Sequence, residues 1–482
     1  MNEQAERSRQ ETAPMMVETK RRRGTGERLL WRAFWQPGAL LLLMGALLLY
    51  GVTYLLGTFG NPIRADGAGY AMYLPAWVVH HSFGVEEAAV ARFGEEVPEW
   101  TGCERVGAEG RLVDKYGVGV AVMALPFFLA AHALTWGMHS PGPLDWWAFQ
   151  FPMDGFSGFY QHAMGLSGLF WMWVGVVVSH WHLRRYFSRW VAAWSTGVLV
   201  FGTNLLHYMT GESVLSHGYS YALFALLLVA VDRWRRGEGG WKTAVFAGCV
   251  AGLIGMVRAS NLAFVPCALL WGIGDVEAWR SRLVRGWRDL LLAGACAAAV
   301  FSFQLWTWKC MSGHWLLNAY GAQGEGFSWW HPEIINVLFS LRGGVFFWSP
   351  VLLTGLVGLA LRRGGKDAPW RWATVVFALF QLWLVASWHD WPYGGGFGHR
   401  GFIETYALWV FPMAAWAEWC EGRGRWLRWG NRLVCLGGVV WCLFWMKLYF
   451  VREISYFGLD RQALFDIFYN RFCALRTWLM ER

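Results

Sequence analysis

Apolar runs near the length of a membrane crossing, each closed by a basic cluster or a short polar turn, repeat along the chain from Pro37 to Val451. Roughly 20 apolar helical residues cross the roughly 30 Å hydrocarbon core of a bilayer, because a helix satisfies its own backbone polar groups. The pattern predicts spans near 37–56, 161–182, 190–207, 215–232, 243–257, 260–274, 289–308, 345–361, 373–388, 404–419 and 433–451. The expected fold class is an all-α polytopic membrane protein with about 11 transmembrane helices in one domain, 37–451. A further apolar run, 118–136, has Pro126 in its middle and His132 near its end, and is expected to be a juxtamembrane or re-entrant helix that does not cross.

Charge sets the orientation. More than half of the 42 Lys and Arg fall in six short segments, 20–32, 184–189, 233–242, 280–288, 362–371 and 423–432. Clusters of this kind stay in the cytoplasm, which puts the basic segment 1–36 inside. The number of crossings between Leu56 and Arg184 must then be odd, and the run 161–182, which abuts Arg184, takes that crossing. Residues 57–160 hold 11 acidic against 5 basic residues and are expected outside, as juxtamembrane helices in a large first loop. Loops 309–344 and 389–404 and the tail 452–482 join them on the periplasmic side. No small-residue cleavage site follows the first apolar run, so 37–56 is expected to remain a span.

Composition agrees with this picture. A chain that is 56% hydrophobic, 16% charged and carries 36 Trp has more apolar surface than a soluble core can hide. The net charge of +9 is absorbed by the cytoplasmic clusters, so no nucleic-acid partner is expected. The 9 Cys form no CxxC pair, which argues against zinc or redox chemistry; a disulfide is open only among Cys103, Cys310 and Cys473. There is no internal repeat of the kind that marks inverted-repeat transporters.

Phosphate-loop, GxSxG and HExxH motifs are absent, so function must rest on polar groups at span ends, where ionisable residues near lipid are costly. The segment NPIRADGAGYAMYLP places Arg64, Asp66 and Tyr70 just beyond the first span. Asp66 has two readings, the N-cap of the following helix or a catalytic carboxylate. Lys115 in DKYGVG and Arg258 in VRASN suit a lipid phosphate, Arg by a bidentate fork and Lys as a point charge. Lys115 could equally snorkel to headgroups. Arg258 is the only basic residue between Lys242 and Arg280, on the side where cations are disfavoured. Glu212 in GESVLSHGYS, Glu325 in the loop NAYGAQGEGFSWWHPE, and His399 and Arg400 in HDWPYGGGFGHRGFIE complete the candidates. Their neighbouring aromatic residues fit either a sugar-binding surface or an interfacial belt.

These features together resemble the GT-C superfamily of membrane glycosyltransferases, which includes protein O-mannosyltransferases, lipid A aminoarabinose transferases and bacterial glycosyltransferase-like membrane proteins. The resemblance runs through RADGAGY, the Lys-led DKYGVGVAVMALPFF, the RRYFSRW turn, Glu212 and Arg258, in order over about the first 260 residues. It implies inverting sugar transfer from a polyprenyl-phosphate-linked donor to a lipid, glycan or protein acceptor, at the outer face of a bacterial inner membrane. It implies Asp66 as the catalytic carboxylate and Lys115 and Arg258 as phosphate ligands. Membrane lipids are the surrounding partner. The family's paired acids are here a single Asp between Ala65 and Gly67, and Tyr116 and Gly117 follow the Lys where the family has two prolines. A divalent metal therefore has no paired-acid motif to hold it. The rival class is a transporter or flippase, which would set ionisable groups near the midplane. A non-catalytic assembly subunit would leave Asp66 and the cations apart.

Overall fold

The structure, a computed structural model, describes residues 30–56, 60–107, 109–139, 151–322, 325–361 and 368–480. The basic segments 20–29 and 362–367 and most of 1–36 lie outside the described residues.

Among these, five helices are long and apolar enough to cross a membrane: Pro37–Tyr54, Gly119–His139, Gly158–Leu183, Trp287–Ser312 and Arg425–Phe450. The expected count of about 11 is not reproduced at that length, because several runs are short or interrupted. The run 260–274 becomes a 3-10 turn, Ala259–Ala263, followed by a six-residue helix, and the run 345–361 is cut at Pro350. Proline lacks an N–H and clashes with the preceding turn, so a helix restarts there instead of running through.

Helix α1 (Pro37–Gly51) ends in a π turn, Val52–Leu56. Two short helices follow, α2 (Asp66–Val78) and α3 (Glu86–Phe93), then a hairpin of β1 (Cys103–Val106) and β2 (Arg111–Asp114) with Cys103 opposite Asp114. This hairpin was not expected from the sequence pattern. Its strands are four residues each, too short for alternation to show. The run 118–136 forms α4 (Gly119–His139). One end of α4 meets Met256 and Val257, and from there it follows α5 (Gly158–Leu183): Trp171 Nε1 donates to Met123 O at 3.1 Å, and His132 Nδ1 is 2.8 Å from Tyr160 Oη. The rest of the bundle comprises α6 (Arg189–Gly202), α7 (Leu205–Thr210), α8 (Ser216–Arg235), α9 (Trp241–Val257), α10 (Phe264–Leu269), α11 (Val276–Arg285) and α12 (Trp287–Ser312). After Glu333 come α13 (Ile334–Phe339), α14 (Leu353–Ala360), α15 (Arg371–Ser387), α16 (Tyr406–Glu421) and α17 (Arg425–Phe450). The tail forms a last helix, α18 (Arg461–Met480).

Small residues let these helices touch. A side chain at Gly168 of α5 would overlap the carbonyl of Ser213, and one at Gly248 of α9 would overlap the carbonyl of Ala293 on α12. Close backbone approach of this kind is how helices associate where lipid removes the hydrophobic drive.

The two ends of the bundle differ. At the basic end, buried Asp232 on α8 accepts from Tyr186 Oη at 2.5 Å, Trp271 Nε1 at 3.1 Å, Arg235 Nη2 at 3.0 Å and Arg236 Nε at 3.1 Å. His182 on α5 stands 3.3 Å away. One carboxylate thus ties α5 to α8 and to the segment after α10, with enough donors to offset its burial. The first loop, Glu212 and Arg258 gather at the other end. No disulfide joins any of the 9 Cys, all of which lie among the described residues.

Candidate active site

Several chain segments converge at the end opposite Asp232. The chain leaves α1, and Ile63 N donates to Gln161 Oε1 at 2.9 Å, fixing the approach to α2. Ala65 occupies the N-cap position with φ +45°, a conformation that L residues avoid. Asp66 is the first residue of α2 rather than its cap. Its Oδ2 accepts from Arg400 Nη2 at 2.9 Å. Burial acts to raise the Asp66 carboxyl, but Arg400, and further off Lys115, outweigh it and hold the group below the usual carboxylate range. One turn on, Tyr70 Oη donates to Ser216 Oγ at 3.0 Å, and its ring packs 4.4 Å from that of Tyr116.

The hairpin supplies the next wall. Asp114 Oδ1 accepts from Tyr116 N at 2.8 Å, a tight turn that presents Lys115 between them. Burial pushes the Asp114 carboxyl up to about 8. Lys115 Nζ pairs with Glu325 Oε1 at 2.7 Å and faces the rings of Tyr116 and Tyr320 at 5.5 and 5.6 Å. Gly117 and Gly119 have no room for a side chain against Met256 and Val257, which carries the turn down beside Arg258. Arg258 lies 3.9 Å from Glu404 and over Tyr393 at 5.7 Å.

These groups line one cavity of about 710 Å³, whose wall includes Asp66, Tyr70, Lys115, Arg258, Glu325 and Arg400. That volume falls in the range of small-molecule sites. Tyr320, Phe327 and Trp388 form an aromatic side, with Phe327 and Trp388 ring centroids 4.8 Å apart. Arg64 and Glu212 line a smaller recess on the other face of Arg400, with Tyr456. Arg64 Nη2 is 3.5 Å from Glu212 Oε1, and His207 Nε2 is 3.5 Å from Glu212 Oε2. Burial is again outweighed, by His207 first and then Arg64 and Arg400, and Glu212 is held below the usual range. His399 lines neither space: it packs between Tyr393 and Phe402, and burial, aided by Arg400, pushes its ring down to about 3. The sequence pattern marked His399 as a candidate substrate contact, whereas the chain sets it against Tyr393 and Phe402, outside the cavity lining.

Several cavity residues escaped the sequence reading. Gln304 lines the cavity from α12 and accepts from Val118 N at 2.8 Å through Oε1. An amide inside a 26-residue apolar helix was the available signal. Asn318 and Trp308 carried none. His217 also lines the cavity, and its ring lies 2.9 Å from Glu404. No group of three or more His, Cys, Asp or Glu placed to hold a metal ion occurs among the described residues.

No protein-family model matches the chain, and neither does any curated protein. Solved structures do. The crystal structure of ArnT from Cupriavidus metallidurans bound to undecaprenyl phosphate aligns with a TM-score of 0.52 at 12% identity, over 86% of this chain and 65% of that one. The archaeal oligosaccharyltransferase AglB from Archaeoglobus fulgidus, in complex with an inhibitory peptide and a dolichol-phosphate, aligns at 0.47 and 11% identity, over 89% and 57%. The chain thus spans about 65% of the length of ArnT. At this identity the likeness speaks for the fold alone, which this chain shares with ArnT.

Proposed function

We propose that this chain is a membrane glycosyltransferase that moves a sugar from a polyprenyl-phosphate-linked donor to a lipid, glycan or protein acceptor at the periplasmic face of a bacterial inner membrane. One observation carries it: a single cavity joins a carboxylate, Asp66, to two cations, Lys115 and Arg258, and to an aromatic side. Asp66 is the base for the acceptor. Arg400 keeps it ionised and aimed, while Tyr70 fixes the helix that carries it. Lys115 and Arg258 take the donor phosphate, whose charge displaces Glu325 from Lys115. Arg64 and Glu212 back Arg400 from the adjoining recess. Tyr320, Phe327 and Trp388 stack the sugar ring.

The chemistry balances. The acceptor O–H or N–H bond breaks, its heteroatom attacks the anomeric carbon, and the bond from that carbon to the phosphate oxygen breaks with its electron pair on the phosphate. The test is transfer by the purified protein in nanodiscs from a panel of undecaprenyl-phosphate-linked radiolabelled sugars. Wild type should label an acceptor, and Asp66→Asn, which keeps the volume, should lose about 10² to 10⁴ in rate. No transfer from any donor, or full transfer by Asp66→Asn, would overturn the proposal.

A further inference from the structure

Transfer from a lipid phosphodiester releases a phosphate dianion and a proton, and Asp66, held low by Arg400, is a poor final store for that proton. A second proton acceptor faces the same cavity. His217, the second residue of α8, is buried and lines the cavity with Asp66 and Tyr70. Its Nδ1 lies 2.9 Å from Oε1 of Glu404, itself buried on the 3-10 turn Arg400–Thr405. A carboxylate oxygen only accepts, so the ring hydrogen sits on Nδ1 and Nε2 keeps its lone pair. Tyr208 packs edge-on against the ring at 5.8 Å.

We propose that His217, oriented by Glu404, is the group to which Asp66 yields the acceptor's proton. This rests on the glycosyltransferase function proposed above. Asp66 Oδ takes the proton as the acceptor attacks, Nε2 of His217 receives it from Asp66, and the imidazolium that forms is stabilised by Glu404 before losing the proton to solvent. The two ends of this path are mechanically linked. Tyr70 stands one turn beyond Asp66, and its hydroxyl is bonded to Ser216, the neighbour of His217. The charged groups facing His217 are Glu404, Arg258 and Arg400, with Asp66 across the cavity. Glu404 Oε1 also lies 3.9 Å from Arg258 Nη1, which places the dyad beside the proposed phosphate site.

The alternative is a buried polar pair that merely joins α8 to the 3-10 turn. Two measurements separate them. In ¹⁵N-histidine solid-state NMR of the full chain in lipid, with the His217→Gln spectrum assigning the signal, His217 should carry its hydrogen on Nδ1. Its titration should move when Asp66 is changed to Asn. An Nε2–H tautomer in the wild type, or a titration indifferent to Asp66, would overturn the relay whatever the activity. In the transfer assay, His217→Gln should bind undecaprenyl phosphate as tightly as wild type and lose about 10²-fold in turnover. Added imidazole should restore part of the turnover of His217→Ala. Transfer unchanged in His217→Gln, or a loss in His217→Ala that imidazole does not relieve, would reduce the pair to a structural strut. Absence of transfer by the wild type would instead overturn the glycosyltransferase function itself.

Discussion

Arg400 Nη2 lies 2.9 Å from Asp66 Oδ2, an ion pair between residues 334 positions apart in sequence. Because Arg400 lowers the folded-state pKa of Asp66, the pair stabilises the fold fully above the ordinary Asp value near 4 and loses that contribution as pH falls through the depressed value. The carboxylate is 31% exposed, so the contribution is at most about 1 kcal/mol. Arg400→Gln should therefore melt slightly below wild type at pH 7, and the gap should close in acid. A gap that persisted down to pH 2 would mean that Arg400 acts by packing alone.

Asp114 has the opposite sign. Its buried carboxyl titrates at about 8, so its contribution is complete below the ordinary value near 4 and is lost as pH rises through about 8. Asp114→Asn keeps an oxygen to accept from Tyr116 N. The variant should match wild type near pH 4 and melt progressively higher up to pH 9. Identical melting curves at every pH would show that this carboxyl titrates normally.

The cations should report on the donor. Charge-assisted contacts contribute about 1.5 to 3 kcal/mol each, so Arg258→Ala and Lys115→Ala should each weaken undecaprenyl phosphate binding by about 10-fold or more. Glu325→Gln frees Lys115 and should tighten binding. Unchanged affinity in Arg258→Ala, measured by tryptophan quenching, would make that residue a wall of the cavity rather than a phosphate ligand.

Backbone contacts predict stability. A methyl group at Gly168 would overlap the carbonyl oxygen of Ser213, next to Glu212, so Gly168→Ala should lower folded yield and melting temperature. Ala65, at φ +45°, is strained by about 1 to 3 kcal/mol. Ala65→Gly should melt at or above wild type, and Ala65→Val below it. The reverse order would mean that the strain is relieved elsewhere.

Topology is open to labelling. With Cys310 and Cys473 changed to Ser, a cysteine in place of exposed Glu109, in the turn of the hairpin, should react with an impermeant maleimide added to the periplasmic side of intact cells. Labelling only after permeabilisation would invert the orientation derived from the basic clusters.

The sequence by itself determined the membrane class, the places where the helices had to be looked for, and the residue types able to do chemistry. It could do so because apolar length and the placement of Lys and Arg are local properties, fixed by what lipid and water each tolerate. Asp66, Lys115 and Arg258 stood out for the same reason: a charge at a span end is costly wherever the chain goes next. Helix breaks at Pro350 and at Ala259–Ala263 were harder to see, since an apolar run reads alike whether it is one helix or two. Only the tertiary structure decided the partnerships. Asp66 meets Arg400, Lys115 meets Glu325, and His217 meets Glu404 across 334, 210 and 187 residues, distances at which no sequence period operates. Packing also turned His399 away from the cavity and brought Gln304 into it, because the side chain that reaches a site is chosen by how helices cross, not by how residues are spaced.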